Sequence, residues 1–365
     1  MQPKLFALAC IGLLCAPLIA EPPAALPRIA ISKDGSHFVT EPGGERFTIW
    51  GVNYDHDESY RLIEDYWDHE WAKVEEDFAE IKSLGANVVR IHLQFGKFMI
   101  DARTPDDRQL QRLRQLLQLA EKLRIYLDLT GLGCYHKHDV PPWYDAMNES
   151  DRWAAQAAFW EAVAATCSGS PAVFCYNLMN EPVIPGQRKD DGQWLAGEPL
   201  GGKYFVQYLT LDPAGRDRTQ IATQWLERMI GAIRRHDRRA LVTVGLFVWS
   251  GFDPKTACQP LDFISLHIYP QAGKLDAAVD TVRRYDAGKP LVIEEMFPLA
   301  CSADELVQFV EATRPIAEGW ISFYWGDPVE KVDRDASDDH AIGRAILQQW
   351  LVRFRRLAQR VDQQP

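Results

Sequence analysis

Two glutamates end apolar runs of this sequence, at positions where their carboxyl groups could serve one reaction. Glu181 follows the run Val173 to Asn180, and Glu295 closes the run that begins at Leu291. A pair of carboxyl groups can cleave an acetal, because one protonates the leaving oxygen while the other stabilises the oxocarbenium-like centre. If the two groups stand about 5 to 5.5 Å apart, the reaction retains the anomeric configuration. The pattern raises the hypothesis of a two-carboxylate glycosidase.

Backbone geometry constrains both runs. Asn180 and Glu181 are neighbours and can converge on one site only if the strand breaks, which Pro182 favours because it cannot continue a ladder. The second run ends in two adjacent acids, Glu294 and Glu295. Successive strand residues face opposite sides, so only one of these two is expected to line a site, and the period does not say which.

Polar and aromatic residues also end the neighbouring apolar runs. Residues two apart on a strand point the same way, so Arg90 with His92, and His267 with Tyr269, each send two polar groups to one side. Any one of them could be a solvated strand end, but together they indicate one pocket. The whole set comprises Asn53, Tyr54, Arg90, His92, Asp128, Thr130, Asn180, Glu181, His267, Tyr269, Glu294, Glu295, Tyr324 and Trp325.

A repeating pattern of short β-branched runs and amphipathic helices carries these residues. Such alternation indicates parallel βαβ units, and eight runs, each followed by a helix, predict an α/β fold closed as a (β/α)8 TIM barrel. An open doubly wound sheet is the alternative, but no glycine-rich loop follows the first run. Gly85 is expected to stop one helix and Ser150 to cap another. The predicted strands are Phe47–Tyr54, Asn87–Leu93, Ile125–Thr130, Val173–Asn180, Leu241–Val248, Phe263–Tyr269, Leu291–Glu295 and Trp320–Trp325.

Four regions are predicted along the chain. Residues 1–20 carry an apolar run that ends near Ala20, as in a secretory signal peptide, and predict a secreted or periplasmic protein. This run is shorter than the roughly 20 residues of a membrane span, so no membrane anchor is expected after cleavage. An anchor, or lipidation at a leader cysteine, is the alternative. Residues 21–45 form an N-terminal β-hairpin around an Asp-Gly turn that covers one end of the main domain, 46–358 the catalytic barrel and 359–365 a C-terminal tail.

Composition excludes one class of partner. The formal net charge is -11, and binding to a phosphate backbone requires clustered Lys and Arg, so no nucleic-acid partner is expected. The cysteines beyond the leader match no zinc spacing, and they are expected to be buried apolar side chains or to form one or two disulfides with a thiol left over. These five are Cys134, Cys167, Cys175, Cys258 and Cys301.

Aromatic residues in predicted loops indicate a sugar ligand. The C–H faces of sugars stack on flat rings, and Trp143, Trp194, Trp249 and Trp325 fall in loops at the expected catalytic end. The segment 182–210, which contains Trp194, is much longer than the usual connection of about 2 to 6 residues. We expect it to wall one side of a cleft.

Residues 174–182, Phe-Cys-Tyr-Asn-Leu-Met-Asn-Glu-Pro, resemble the fourth-strand motif of the clan A barrel glycosidases, and most closely those of glycoside hydrolase family 5. The resemblance implies that Glu181 is the acid/base and that Asn180 holds the sugar 2-hydroxyl. Residues 291–297 resemble the seventh strand of the same enzymes, which implies that Glu295, before the bulky Met296, is the nucleophile. The resemblance extends over nearly the whole chain beyond the leader.

The same resemblance implies an Arg behind the nucleophile at Arg90, a sixth-strand pair at His267 and Tyr269, and a Trp floor at Trp325. One departure is Thr130, where cellulase-like members usually have a histidine. His136 or His138 could fill that space from the loop, and the departure makes an ordinary cellulase a weaker prediction.

These features predict an O-glycosyl hydrolase that acts on an oligo- or polysaccharide of the β-glucan or β-mannan type. No metal or organic cofactor is expected, because no His-x-His or His-Glu-x-x-His cluster lies at a strand end or on a helix. An exo-β-glycosidase or transglycosylase is the nearest alternative, and a carbohydrate-binding barrel without catalysis is the alternative of another class. The predicted catalytic residues are Glu181 and Glu295, and the predicted substrate-binding residues are Arg90, Asn180, His267, Tyr269, Trp325, Trp194 and His136.

Overall fold

The computed structural model describes residues 25–57, 59–190, 192–199, 201–323, 325–326 and 341–361. The predicted leader, residues 1–20 with Cys10 and Cys15, lies outside these ranges, as do residues 362–365 of the predicted tail. Within these ranges, no helix combines the length and the apolar character that crossing a membrane requires.

The described residues form thirteen strands. They are β1 (Arg28–Ile31), β2 (Phe38–Glu41), β3 (Ile49–Tyr54), β4 (Val88–Gln94), β5 (Tyr126–Gly133), β6 (Val173–Asn180), β7 (Pro182–Val183), β8 (Leu195–Ala196), β9 (Val206–Tyr208), β10 (Leu241–Phe247), β11 (Ile264–His267), β12 (Leu291–Met296) and β13 (Gly319–Ser322).

Eight of these strands close into a barrel with the ring order β3-β4-β5-β6-β10-β11-β12-β13, and every neighbouring pair is parallel. Each of the eight predicted runs contributes one strand, and the predicted (β/α)8 TIM barrel is confirmed. These strands are almost completely buried, because their β-branched and aromatic side chains fill the barrel on one face and contact helices on the other.

Helices surround the barrel. One helix longer than two turns follows each barrel strand except β10, against the expectation of a helix after every strand. Residues 248–263, between β10 and β11, form turns, since Pro254 and Pro260 cannot donate helical hydrogen bonds. The helices in the described residues are α1 (Ile63–Tyr66), α2 (Trp71–Ser83), α3 (Phe95–Phe98), α4 (Asp107–Leu123), α5 (Pro142–Asp145), α6 (Glu149–Cys167), α7 (Arg218–Arg234), α8 (Leu275–Arg284), α9 (Ala303–Thr313) and α10 (Ala341–Val361).

Two helix ends test the sequence signals. Helix α2 ends at Ser83, two residues before Gly85, whose φ of +84° only glycine adopts easily. Helix α6 begins one residue before Ser150, so the predicted cap is wrong. The true cap is Asn148, whose side chain accepts a hydrogen bond from the Asp151 N–H at 3.0 Å.

The N-terminal hairpin β1–β2 covers the amino end of the barrel. Phe38 is fully buried, and its ring contacts Phe174, at the start of β6, and Phe263, just before β11. The centroid distances are 5.4 and 5.2 Å. The hairpin therefore leaves the carboxyl ends of the strands free to form a site.

The long segment after β6 folds back on the barrel. It contains a small sheet in the order β7-β9-β8, in which β9 pairs parallel to β7 and antiparallel to β8.

The five cysteines beyond the leader are free thiols, so the disulfides considered from the sequence do not form among the described residues.

Candidate active site

Arg90, on β4, organises the polar residues at the carboxyl end of the barrel. Its side chain is fully buried, and Nη1 donates hydrogen bonds to Glu295 Oε1 at 2.6 Å and Asn53 Oδ1 at 2.8 Å. Nη2 donates to Asn180 Oδ1 and Nε to Thr130 Oγ1, both at 2.9 Å. A buried guanidinium with its donors used in this way fixes the four side chains that it contacts.

The two predicted catalytic carboxyl groups face each other across the site. Glu181, Glu295 and His267 each have a side-chain oxygen or nitrogen within 4.8 Å of the others. Tyr269 donates its hydroxyl hydrogen to Glu295 Oε2 at 2.6 Å. The structure therefore brings together the predicted residues Arg90, Asn180, Glu181, His267, Tyr269 and Glu295.

Glu181 has an unusual backbone conformation. Strand β6 ends at Asn180, and Glu181 takes a φ of +46°, in the left-handed region that non-glycine residues rarely adopt. Its N–H donates to the Gly245 carbonyl oxygen at 3.0 Å. Pro182 follows, as expected from the sequence, and the strand breaks where two neighbouring side chains must both reach the site. Left-handed backbone of this kind carries strain and is concentrated at functional residues.

His267 links the two carboxyl-bearing strands. Its Nδ1 lies 2.9 Å from Glu181 Oε1, and its Nε2 lies 3.1 Å from Glu294 Oε2. Burial alone would lower the pKa of His267, but the charge of Glu295 and the hydrogen bonds with Glu181 and Glu294 raise it to about 9. An imidazolium at neutral pH donates from both nitrogens, and it holds Glu181 in place.

Opposing effects act on the pKa of Glu295. Burial raises its pKa above the ordinary value, because a charged carboxylate is poorly solvated there. The positive charges of His267 and Arg90 and the hydrogen bond from Tyr269 act against this rise. All of these partners stabilise the anion, which is the form that a nucleophile requires.

Glu294 contacts the same two cationic side chains as Glu295, those of Arg90 and His267. Its Oε2 lies 3.4 Å from Arg90 Nη2 and 3.1 Å from His267 Nε2. Glu294 is fully buried, so its carboxyl group supports Arg90 and His267 from inside the barrel, and the expectation that only one of the two adjacent acids lines the site stays a prediction. The register of β12 shifts against both of its neighbours, between Ile293 and Met296 on one side, and strict alternation of side chains is lost there.

Glu294 also interacts with a second buried acid, Asp128. Burial would raise the pKa of Glu294, but Arg90 and His267 lower it to about 2. Burial and the negative charge of Glu294 raise the pKa of Asp128 well above its ordinary value. These shifts favour a proton on Asp128 rather than on Glu294.

Three further residues complete this network: Asn53 and His92, which the sequence placed among the polar strand ends without a role, and Tyr135, which it did not indicate. Asn53 donates to the carbonyl oxygens of Glu294 at 3.0 Å and Ser322 at 2.8 Å. His92 Nε2 lies 3.2 Å from Asn53 Oδ1, and its Nδ1 is hydrogen-bonded to the Tyr135 hydroxyl. Asn53 and His92 were recognised as strand ends, which was the available signal, whereas Tyr135 follows β5 in a loop and gave none.

Two of the predicted sugar-stacking rings are buried. Trp194 is 3% exposed and lies over the Arg152 guanidinium at 4.5 Å, so it is not brought to the site, because a cation on the outer helix α6 holds it. Trp325 is fully buried with its ring edge-on to Tyr54, and it presents no open floor. Trp249, just after β10, is 83% exposed at the same end of the barrel.

His136 lies in the loop after β5, outside the hydrogen-bonded cluster. Its ring is 5.1 Å from that of His138, and its Nε2 is buried without a hydrogen-bond partner among the described residues. Burial lowers the pKa of His136. Trp143 is partly buried against Phe95, with ring centroids 5.8 Å apart. Neither residue contacts the carboxyl pair through a hydrogen bond in the described structure.

Among the described residues, two groups of side chains have the composition of a metal site. One is His136, His138 and Asp139, but Asp139 already pairs with Lys97 at 3.3 Å. The other is the set Glu181, His267 and Glu295 itself. The hydrogen bonds that orient this second set suit a proton-transfer site, because a protonated His267 has no lone pair for a metal.

Comparison with known proteins identifies the family of this chain. The family described as Cellulase (glycosyl hydrolase family 5) matches residues 44–313. Among curated proteins, no significant match to the chain is found.

Several solved structures have the same fold. The exo-beta-1,4-mannosidase Op5Man5 from Opitutaceae bacterium strain TAV5 superposes with a TM-score of 0.65 and 18% identity, over 91% of this chain and 63% of that chain, less than two thirds of its length. The beta-1,4-mannanase from the sea hare Aplysia kurodai gives 0.62 and 15%, over 89% and 96%. The Thermobifida fusca endoglucanase Cel5A gives 0.59 and 15%, over 92% and 98%. Since the family match spans well over half of the sequence, the chain belongs to glycosyl hydrolase family 5 and is an O-glycosyl hydrolase.

Proposed function

We propose that this enzyme cleaves a β-linked glycan of the glucan or mannan type by double displacement, with retention of the anomeric configuration. The observation that carries the proposal is that a carboxylate oxygen of Glu181 lies within 4.8 Å of one of Glu295. Carboxyl groups about 5 to 5.5 Å apart leave no room for a water between the base and the sugar, so the second carboxylate attacks the sugar itself.

In the first step Glu295 attacks the anomeric carbon, and Glu181 gives its proton to the leaving glycosidic oxygen. The bond to the leaving sugar breaks as the bond from the anomeric carbon to Glu295 forms. In the second step Glu181 takes a proton from water, and this water attacks the anomeric carbon and releases Glu295. Arg90 and Tyr269 hold the two oxygens of Glu295, so that the attacking carboxylate does not rotate.

The substrate class is supported by both likeness and geometry. Structures with the same fold include enzymes named for β-1,4-mannan, such as the Aplysia kurodai mannanase, and a β-glucanase from Saccharophagus degradans. The Asn180 amide uses its oxygen for Arg90 and one N–H for the Phe205 carbonyl, which leaves its second N–H for a sugar hydroxyl. The exposed Trp249 side chain offers a stacking surface just after β10. In the barrel β10 lies next to β6, the strand that Glu181 follows.

The leader at residues 1–20 supports secretion or transport to the periplasm, where a polymeric glycan would be accessible. Expression with and without these residues, followed by assay of the cell and external fractions, tests this part of the proposal. External enzyme that depends on the leader is expected. Equal retention of both forms inside the cell would contradict it.

The proposal is tested by reducing-sugar release from β-glucans, β-mannans and xylans, with proton NMR of the first product to read its anomeric form. The initial product is expected to be the β-anomer. Glu181→Ala and Glu295→Ala should lose turnover, whereas Glu76→Ala, at an exposed position of α2, should retain it. Sugar binding without turnover in the unmodified enzyme would instead favour a carbohydrate-binding barrel, and an initial α-anomer would overturn retention.

A further inference from the structure

A short segment of the long connection after β6 crosses the mouth of the barrel. We call residues 201–206 the bridge. The Tyr204 N–H donates to the Tyr135 carbonyl oxygen, and the Asn180 side chain donates to the Phe205 carbonyl oxygen, both at 2.9 Å. These bonds fix the bridge between the ends of β5 and β6, directly beside the acid/base residue.

A turn at the start of the bridge directs Lys203 across the mouth. Gly201 and Gly202 have φ angles of +58° and +80°, which glycine adopts without steric cost. The Lys203 ammonium reaches the Tyr60 ring, 6.0 Å from its centroid, in the loop after β3. The bridge thus spans from the end of the fourth barrel strand to the loop after the first, across one side of the mouth.

The ammonium group of Lys203 is buried without a hydrogen-bond acceptor among the described residues. The residue is 5% exposed, and its Nζ has no hydrogen-bond partner in the described parts of the chain. Burial lowers the pKa of Lys203, and the charge of Asp55 is the strongest opposing influence. A buried amine without a partner is costly, and in native proteins such groups are normally paired or meet a ligand.

Asp55 borders the same space and is also unsatisfied. It is 3% exposed, and its Oδ1 has no hydrogen-bond partner among the described residues. That atom lies 3.9 Å from His56 Nε2, and the His56 ring lies 5.0 Å from the ring of Tyr60, which Lys203 overlies. A buried donor and a buried acceptor, both without a hydrogen-bond partner among the described residues, therefore lie near each other at the bridge.

Two other described acids near Lys203 have cationic partners of their own. Asp57 receives two hydrogen bonds from the Arg61 guanidinium, at 2.8 and 3.0 Å, and Asp65 lies 3.3 Å from Lys97 Nζ. Of the described acids, Asp55 has the strongest electrostatic influence on the Lys203 ammonium. A balanced pair favours a neutral ligand, because a further anion would meet the carboxylate and a further cation the ammonium.

We propose that Lys203 and Asp55 bind neighbouring hydroxyl groups of a neutral sugar in a closed subsite under the bridge, so that the enzyme acts on the ends of its glycan chains. The inference rests on the proposed function and deepens it. A sugar hydroxyl can accept from Lys203 and donate to Asp55, which would satisfy both orphan atoms. The bridge then selects a chain end, because only a terminal sugar fits a subsite that is closed on one side.

The mode of action is tested with the unmodified enzyme on mannohexaose and cellohexaose. Chain-end action predicts that products shorten by one terminal unit at a time, and that the viscosity of the soluble polymer falls slowly relative to the release of reducing ends. Fragments from the middle of the hexaose, with a rapid loss of viscosity, would overturn the proposal.

The residue assignment is tested with 4-nitrophenyl β-mannoside and β-glucoside. Lys203→Met is expected to raise KM roughly 10- to 100-fold, the scale of a hydrogen bond to a charged group, with a much smaller change in kcat. Lys189→Met is the matched control, because Lys189 lies in the same connection but outside the bridge, over the Tyr208 ring at 5.2 Å. Equal KM values for the two variants would overturn the assignment.

A second measurement does not depend on the folding of a variant. The unmodified enzyme should discriminate at least 10-fold in kcat/KM against 4-nitrophenyl glycosides that lack the 3- or 4-hydroxyl, because a missing hydroxyl leaves buried polar groups unpaired. Equal use of deoxy substrates, or a preference for the β-glucuronide, would overturn the proposal. Absence of hydrolysis on every glycan would instead contradict the proposed function, so the two failures are distinguishable.

Discussion

The Glu181 N–H donates a hydrogen bond to the Gly245 carbonyl oxygen, 3.0 Å away. Gly245 also packs directly against the buried polar side chains of the site. A Cβ atom at this position would lie 2.7 Å from His267 Nε2, 2.9 Å from Arg90 Nη2 and 3.0 Å from Glu294 Oε2. Those atoms belong to buried, hydrogen-bonded groups that cannot move independently, so glycine is required by close approach.

Gly245→Ala is therefore expected to displace His267 and Arg90 and, through them, both catalytic carboxyl groups. We expect a loss of roughly 100-fold in kcat, since displacement of reacting groups by about 1 Å has effects of this size. Overpacking should also lower the free energy of unfolding by about 1–3 kcal/mol. Steady-state kinetics and urea unfolding measure the two effects.

Gly231→Ala is the matched control for this substitution. Gly231 lies inside helix α7, and a Cβ there would meet no atom within 4 Å. The substitution should leave kcat unchanged and raise stability by roughly 0.5–1 kcal/mol, because alanine is the better helix former. A Gly245→Ala enzyme with normal kcat would show that the network tolerates displacement.

The roles of the two adjacent glutamates are separable by chemical rescue. Glu295→Ala should lower kcat by about 10⁴-fold or more, because the attacking group is lost. Azide should restore turnover by occupying the space of the carboxylate and attacking the sugar. The product would be a glycosyl azide, which mass spectrometry detects.

Glu294→Ala should lower kcat without azide rescue, because Glu294 holds His267 and Arg90 and is fully buried away from the sugar. Glu294→Gln keeps an oxygen that can accept from His267. Its kcat should therefore fall only about 10- to 100-fold, the scale of a hydrogen bond to a charged group. Azide rescue of Glu294→Ala, but not of Glu295→Ala, would reverse the assignment of the nucleophile.

The sequence predicted the barrel because each strand is a short apolar run between turn signals and each helix has its own period. It also predicted the break at Glu181, because Pro182 lacks a backbone N–H and has a fixed φ, whatever the surrounding fold. The positions of the acids on β12 were less predictable. A register shift of one residue changes which side chains face the site, and nothing in the run Leu291 to Met296 signals that shift.

The long connection after β6 was also beyond prediction in detail. Its length indicated a functional wall, but residue type does not show where a loop side chain lies. Trp194 was expected to bind sugar, and it instead packs on Arg152 of α6. No sequence pattern indicated Lys203, although its ammonium reaches the Tyr60 ring at the mouth. Both outcomes depend on tertiary contacts between distant segments, which single-sequence patterns do not contain.

Tyr269→Phe should shift the pH dependence of the enzyme. The Tyr269 hydroxyl donates to Glu295 and lowers the pKa of that carboxyl. Without it the pKa of Glu295 rises, so less of the enzyme is ionised at a given acidic pH. The acidic limb of kcat/KM should therefore move to higher pH, and kcat/KM at the optimum should fall roughly 10- to 100-fold.

Tyr285→Phe is the control for this shift, because Tyr285 lies at the end of α8, outside the site. Its acidic limb should coincide with that of the unmodified enzyme. A lower activity for Tyr269→Phe without any displacement of the limb would mean that another group controls the acidic side of the profile.

Glu64 should make stability depend on pH. The carboxyl group is buried, and desolvation raises its pKa to about 8, although the Gln94 N–H donates to it at 2.7 Å. In the unfolded chain the pKa is about 4.3. Between these values the unfolded state releases the proton and the folded state keeps it, so the folded state loses up to about 1.4 kcal/mol per pH unit as pH rises.

Glu64→Gln removes this titration and keeps an oxygen that accepts from Gln94. Urea unfolding at pH 5, 7 and 9 should show that the variant gains stability relative to the unmodified protein at each step. Glu76→Gln, on the exposed face of α2, should run parallel to the unmodified protein. If Glu64→Gln also runs parallel, the carboxyl group is ionised in the folded protein, and a positive charge or water must reach it from the cleft.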